Sequence, residues 1–280
     1  MDEIAPEEDE IQLEEAEDQG PPAPDEQTIA VAEEPGLWMP DEPTRMVFHG
    51  DGFVFVSQGR SAWIHRLRLP KDDAEIKRVV DHVDAILSIR KIDEAVWWLG
   101  ELNTPRNLGK RLLALGLERD DPARLTSLTI AEAPGGEAAV EVRKAETQED
   151  WLQGLEIDWE AFGVDEDERE LRRREAAAAW PRLHAAGTST IHLAYLDDEP
   201  VGFGRTVYTP HGALMLGGAT LPDARGQGVY TAIVHARWEE AVARGVPRLI
   251  VAAGSESAPI LEGLGFEPMG RVRLFRQKVT

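Results

Sequence analysis

Apolar positions along this chain switch between two periods, and the sequence of switches occurs twice. From Gly52 to Gln58 and from Ser61 to Leu69, β-branched and aromatic residues predict strands. From Asp72 to Ile89 the apolar residues Ile76, Val79, Val80, Val83, Ile86 and Leu87 recur at helical spacing, with Asp72 or Asp73 placed to cap the helix. Ala95 to Leu99 predicts a short buried strand, Pro105 to Leu115 a helix stopped by Gly116, and Arg124 to Ala133 a closing strand. The second round starts with a strand at Val140 to Arg143 and helices over Thr147–Ala161 and Asp165–Ala185. Ile191 to Leu196 and Val201 to Tyr208 then predict a hairpin, with Ala213 to Leu221 pairing back on it. A helix (Val229 to Arg244), a strand (Arg248 to Ala252), a short helix (Ala258 to Gly263) and a last strand (Gly270 to Gln277) complete it.

Two landmarks support a duplication. Leu69-Pro70 and Leu221-Pro222 each precede a long helix, and Leu112 to Leu117 mirrors Leu261 to Phe266. The spacing from proline to the later glycine is 46 residues in the first unit and 43 in the second. The units differ after the proline. The second has Arg225-Gly226-Gln227-Gly228 and the first has Lys71-Asp72-Asp73-Ala74. Two glycines between a strand and a helix let the backbone turn tightly and present its amides. The helix behind them adds unpaired N–H groups and the positive end of its dipole, a setting for a pyrophosphate. Only the second unit has this loop.

The segment resembles the GNAT acyltransferases, which move an acyl group from coenzyme A to an amine. Thr220-Leu221-Pro222 stands in the family's Val-x-Pro slot, and Arg225 and Gly228 fill the first two fixed positions of its Arg/Gln-x-x-Gly-x-Gly/Ala loop. Tyr230 replaces the small third residue, and Ile260 to Phe266 resembles the family's short helix ending in Leu-Gly-Phe. The resemblance covers residues 139–280, and the region 38–133 resembles a degenerate copy, as in tandem GNAT proteins. It implies an α/β (α+β) protein with two GNAT-like domains, at 37–135 and 136–280, each a mixed, largely antiparallel sheet flanked by helices.

Acetyl-CoA is the implied acyl donor. The resemblance places its pantetheine arm along Gly218, Ala219 and Thr220. Its pyrophosphate falls on the loop, through Arg225, Gly226, Gln227, Gly228, Val229, Tyr230 and Thr231. An amine then attacks directly, without a covalent enzyme intermediate. The family's proton-donating Tyr falls on Leu261, and the stretch Leu214 to Gly218 has no Glu to serve as base. His211, Tyr195 and Ser257 are the catalytic candidates that remain, each with a structural alternative as turn residue, packing aromatic and helix cap. Asp158, Glu160 and Asp165 fall where the family binds its acceptor, and read either as a solvated loop or as partners for a cationic substrate.

The charge of −22 is uneven. Residues 1–36 hold 14 of the 52 acidic residues and none of the 30 basic ones, so the remainder is only mildly acidic. The first 36 residues therefore read as a disordered acidic tail. No basic stripe predicts nucleic-acid binding. No apolar run predicts a membrane span, and the N-terminal residues do not read as a secretory signal. The absence of Cys fits a cytoplasmic protein, and the histidines lack metal-ligand spacing, so no metal is expected. The expected partner is a small-molecule amine rather than a protein, since the first unit can close the cleft; oligomeric state is not legible. Two other functions compete. A non-catalytic acyl-CoA-binding or partner-binding module fits the missing Tyr and Glu. A dinucleotide-dependent oxidoreductase would need a third glycine, and Thr231 follows Gly226 and Gly228 instead.

Overall fold

A computed structural model describes residues 24–40 and 45–279. The first half contains β1 (Met46–Gly50), β2 (Phe53–Gln58), β3 (Ser61–His65), α3 (Asp73–Arg90), β4 (Glu94–Leu99), α4 (Leu108–Ala114) and β5 (Glu118–Ile130). Two short helices, α1 (Glu26–Glu33) and α2 (Pro35–Trp38), precede them. The second half contains β6 (Glu141–Lys144), α5 (Gln148–Ala161), α6 (Glu166–Ala186), β7 (Ser189–Leu196), β8 (Glu199–Thr209) and β9 (Gly212–Thr220). It ends with α7 (Val229–Ala243), β10 (Leu249–Ala253), α8 (Ala258–Gly263) and β11 (Glu267–Lys278). The expected mixed, largely antiparallel sheet with flanking helices is present. Most predicted elements fall within a few residues of these bounds, and β1 is an addition.

All the strands form one sheet, in the order β1-β2-β3-β4-β11-β5-β10-β9-β8-β7-β6. The two expected halves therefore share one continuous sheet. The closing strand of each half is exchanged. β11, last in sequence, pairs with β4 of the first half, and β5 pairs with β10 of the second. β5 and β11 then pair with each other at the centre. A cut at residue 135 therefore separates the sequence but not the sheet. The exchange satisfies both inner edges, which would otherwise present unpaired N–H and C=O groups.

The acidic tail also needs correction. Residues 1–23 lie outside the described residues, but the segment from Asp25 is ordered as helix. Asp25 caps α1 by accepting a hydrogen bond from the Thr28 amide at 2.7 Å. Val31 and Ala32 are fully buried against Val207, Leu214 and Ile250. Averaging charge over 36 residues concealed this short apolar face. The buried Glu33 accepts hydrogen bonds from the amides of Glu101 (2.6 Å) and Leu102 (3.2 Å), tying α1 to the first half.

Candidate active site

β9 and β10 are parallel neighbours paired only at Ala213–Leu249 and Leu214–Ile250. Beyond that point they diverge, and β9 continues to Thr220 with one edge open. On its other edge β9 is bulged. Gly204 of β8 faces Gly218, but Thr206 faces Met215, leaving Leu216 and Gly217 opposite Arg205 alone. Gly217 takes a positive φ of 91°, which a side chain there would strain.

Arg237 of α7 secures the bulge from behind. Arg237 is 1% exposed, and its guanidinium donates to the carbonyl oxygen of Arg205 at 3.1 Å and to that of Gly217. Burial pulls its pKa below the usual arginine range. α7 approaches so closely because β8 lacks side chains beneath it. A Cβ on Gly204 would lie 2.3 Å from Ile233 Cγ2 and 2.6 Å from Arg237 Nη2.

The expected cofactor residues converge on one cleft of about 360 Å³. Gly218–Thr220 contribute one wall, while Arg225, Gly226 and Gly228–Thr231 contribute the other. Gln227 is the exception. It turns away and donates to the Asp223 carbonyl at 3.1 Å. Gly226 and Gly228 have φ of 74° and 80°, so their identity follows from the backbone path. Gly228 stands at the N-terminal cap of α7 and offers no side-chain cap, leaving the helix's first amides for whatever occupies the cleft. These unpaired amides, the open loop and the open β9 edge suit a pyrophosphate followed by an extended pantetheine arm.

The catalytic candidates separate. Ser257 lines this cleft and donates to the Gly254 carbonyl at 3.4 Å, without capping α8. His211 lies in the β8–β9 turn, edge-on to Trp38 at 6.1 Å, and does not line the cleft. Tyr195 lies near the end of β7 beneath the Arg143 guanidinium, 4.2 Å from its ring centre, and does not line it either. Leu261 is fully buried in the core.

A second cleft of about 400 Å³ opens beside the bulge. α5 and α6 contribute Trp151, Asp158 and Arg172, and the tip of the β2–β3 hairpin in the first half contributes Gln58, Arg60 and Ser61. Asp158 is the residue that links it to the first cleft. One of its carboxylate oxygens lies 4.0 Å from where a Cβ on Gly217 would be, and the next residue, Gly218, lines the first cleft. Burial pushes the Asp158 pKa up to about 6, and the positive charges of Arg205 and Arg172 only partly oppose this. The sequence contained a signal for this placement. Trp151, Leu155, Asp158 and Trp159 share one face of α5, so Asp158 sits on an apolar stripe rather than in a solvated loop.

The acetyltransferase (GNAT) family model matches residues 151–266. The chain thus carries a GNAT-family domain in its second half. Among solved structures, a GCN5-related N-acetyltransferase from Kribbella flavida is similar with TM-score 0.64 and 17% identity, over 89% of this chain and 94% of that one. A tandem GNAT protein from the clavulanic acid biosynthesis pathway gives 0.60 and 13%, over 86% and 85%. A GCN5-related N-acetyltransferase from Sphaerobacter thermophilus gives 0.56 and 17%, over 90% and 91%. At these identities the likeness is one of fold. No curated protein matches the chain. Among the described residues, no cluster of three or more His, Cys, Asp or Glu could hold a metal, and no helix is long and apolar enough to cross a membrane.

Proposed function

We propose that this protein is an acetyl-CoA-dependent N-acyltransferase that transfers its acyl group directly to an amine held in the second cleft, with Asp158 as the base. The observation that carries the reading is the junction at Gly217–Gly218, where a cleft suited to coenzyme A meets one containing a carboxylate with a raised pKa. Acetyl-CoA supplies the acyl group. The amides of Gly226 to Thr231 hold its pyrophosphate, and the edge of β9 orients the arm and offers an N–H to the thioester oxygen. Asp158 takes the proton from the acceptor's ammonium, and the freed nitrogen attacks the acyl carbon. The C–N bond forms, the added nitrogen gives up its second proton to solvent, the C–S bond breaks as the carbonyl re-forms, and the thiolate is protonated from solvent beside Ser257.

Among its described residues, the first half has no comparable cofactor site. Where β9 and β10 diverge, the corresponding segments of the first half remain hydrogen-bonded. The Leu69 amide donates to Thr104 O, and the Thr104 amide to Leu67 O, both at 3.0 Å. This supports one coenzyme A per chain, with the first half acting as a wall of the acceptor cleft. A cleft walled by both halves favours a small-molecule amine over a protein.

A non-catalytic acyl-CoA-binding role has one observation in its favour, the apolar Leu261 at the family's Tyr position. Thiol release from acetyl-CoA, followed across a panel of small primary amines with a no-amine control, separates the two readings. The enzyme reading expects release that depends on amine concentration. Release no faster than hydrolysis with every amine, despite cofactor binding, supports the binding module.

A further inference from the structure

The two exchanged strands meet at a concave site rich in arginine. Arg119 and Arg124 of β5, Arg271 and Arg273 of β11, and Arg106 from the loop before α4 line a cavity of about 330 Å³. Among the described residues, Glu101 is the acidic residue in its lining. That carboxylate is already engaged, accepting from Arg106 Nη1 at 3.3 Å and from the Arg271 amide at 3.4 Å. Arg124 and Arg273 are direct cross-strand partners, so their side chains leave the same face of the sheet. Arg271 lies two residues along β11, on that face again.

Like charges directly opposite in a sheet are destabilising. The rest of β11 avoids such a conflict. Arg276 pairs with Glu94 and with Asp120, and Lys278 pairs with Glu118 at 2.8 Å. The side chains of Arg124, Arg271 and Arg273 make no hydrogen bond or ion pair among the described residues. A chain with a formal charge of −22 thus concentrates exposed guanidinium groups in one hollow. Guanidinium forks match the planar, bidentate geometry of carboxylate and phosphate oxygens.

We propose that this cavity binds a small polyanion carrying two or more phosphoryl or carboxylate groups, at the seam where the halves exchange strands. The site is separate from the coenzyme A loop, with which it shares no lining residue. The cavity's size and concavity favour a compact ligand over an extended nucleic acid, which the overall negative charge would repel. A bound anion neutralises the Arg124–Arg273 pair and stabilises the seam by binding only the folded state.

The test is calorimetric titration of the full chain with pyrophosphate and, separately, with citrate, in saturating acetyl-CoA to occupy the other phosphate-binding loop. The proposal expects one saturable site for at least one anion, with the preference separating phosphoryl from carboxylate ligands. It expects at least tenfold weaker binding in Arg124→Gln/Arg273→Gln and in the milder Arg271→Gln. The preferred anion should raise the melting temperature of wild type and leave the double variant unchanged. No saturable binding of either anion overturns the proposal, as does binding that survives all three substitutions.

Discussion

Replacing Asp158 with Asn lowers the turnover of acyl transfer by about 10²–10⁴-fold, the range expected for loss of a positioned base, and makes the protein more stable. The two effects have the same origin. Burial raises the Asp158 pKa from 3.8 to about 6, so the folded protein holds this proton more tightly than the unfolded chain does. Its stabilising contribution is present below the unfolded pKa and is lost as pH rises through about 6. At neutral pH the charged carboxylate therefore costs stability. Discounting for the solvent that reaches it, the amide recovers about 1–2 kcal/mol, visible as a melting point a few degrees higher. Activity has the opposite slope, because the base must be deprotonated. Wild-type turnover rises with pH through about 6, and that limb disappears in Asp158→Asn. Rate-against-pH profiles and thermal melts of both proteins check this. A variant that loses stability together with activity would mark Asp158 as a structural residue instead.

Arg237 governs stability rather than proton transfer. Arg237→Ala removes a buried side chain and leaves the carbonyls of Arg205 and Gly217 without this donor, on the strand bulge that faces the proposed reacting groups. The combined cavity and unpaired acceptors should cost about 3–5 kcal/mol. Arg237→Met keeps much of the volume and sheds the buried charge, so it should recover part of that loss. It cannot donate to the two carbonyls. Both variants should therefore bind acetyl-CoA about tenfold more weakly, whatever their stability. Denaturant unfolding and acetyl-CoA titration on the pair separate packing from strand positioning. A Met variant with wild-type affinity would show that the bulge holds its shape without Arg237.

Local chemistry makes the strand, glycine loop and helix start around the first cleft legible in the sequence. A strand, a proline, two glycines and a helix start lie within one short stretch, and each constrains the backbone where it stands. The same holds for α3, whose cap Asp72 accepts from the Glu75 amide at 3.0 Å. The strand exchange was not legible, because β5 and β11 have side-chain patterns compatible with many antiparallel partners. Nothing near Arg124 or Val272 specifies that these strands cross between halves. The first ordered helix was hidden by the charge of its surroundings, although Val31 and Ala32 already formed an apolar pair. Asp158 is visible in the sequence as a carboxylate near the end of α5. Its depth follows from helical phase with Trp151 and Trp159 on α5. His211 and Tyr195 attracted notice for their chemistry, and only tertiary structure places them outside the cleft.

The most direct test of the central claim is calorimetric titration of acetyl-CoA into wild type and Gly228→Glu. The substitution forces a side chain onto a backbone with φ of 80° and sets a carboxylate where a pyrophosphate would lie. One site per chain is expected in wild type, with at least a hundredfold loss of affinity in the variant. Two sites per chain, no binding by wild type, or undiminished binding by Gly228→Glu would contradict that claim.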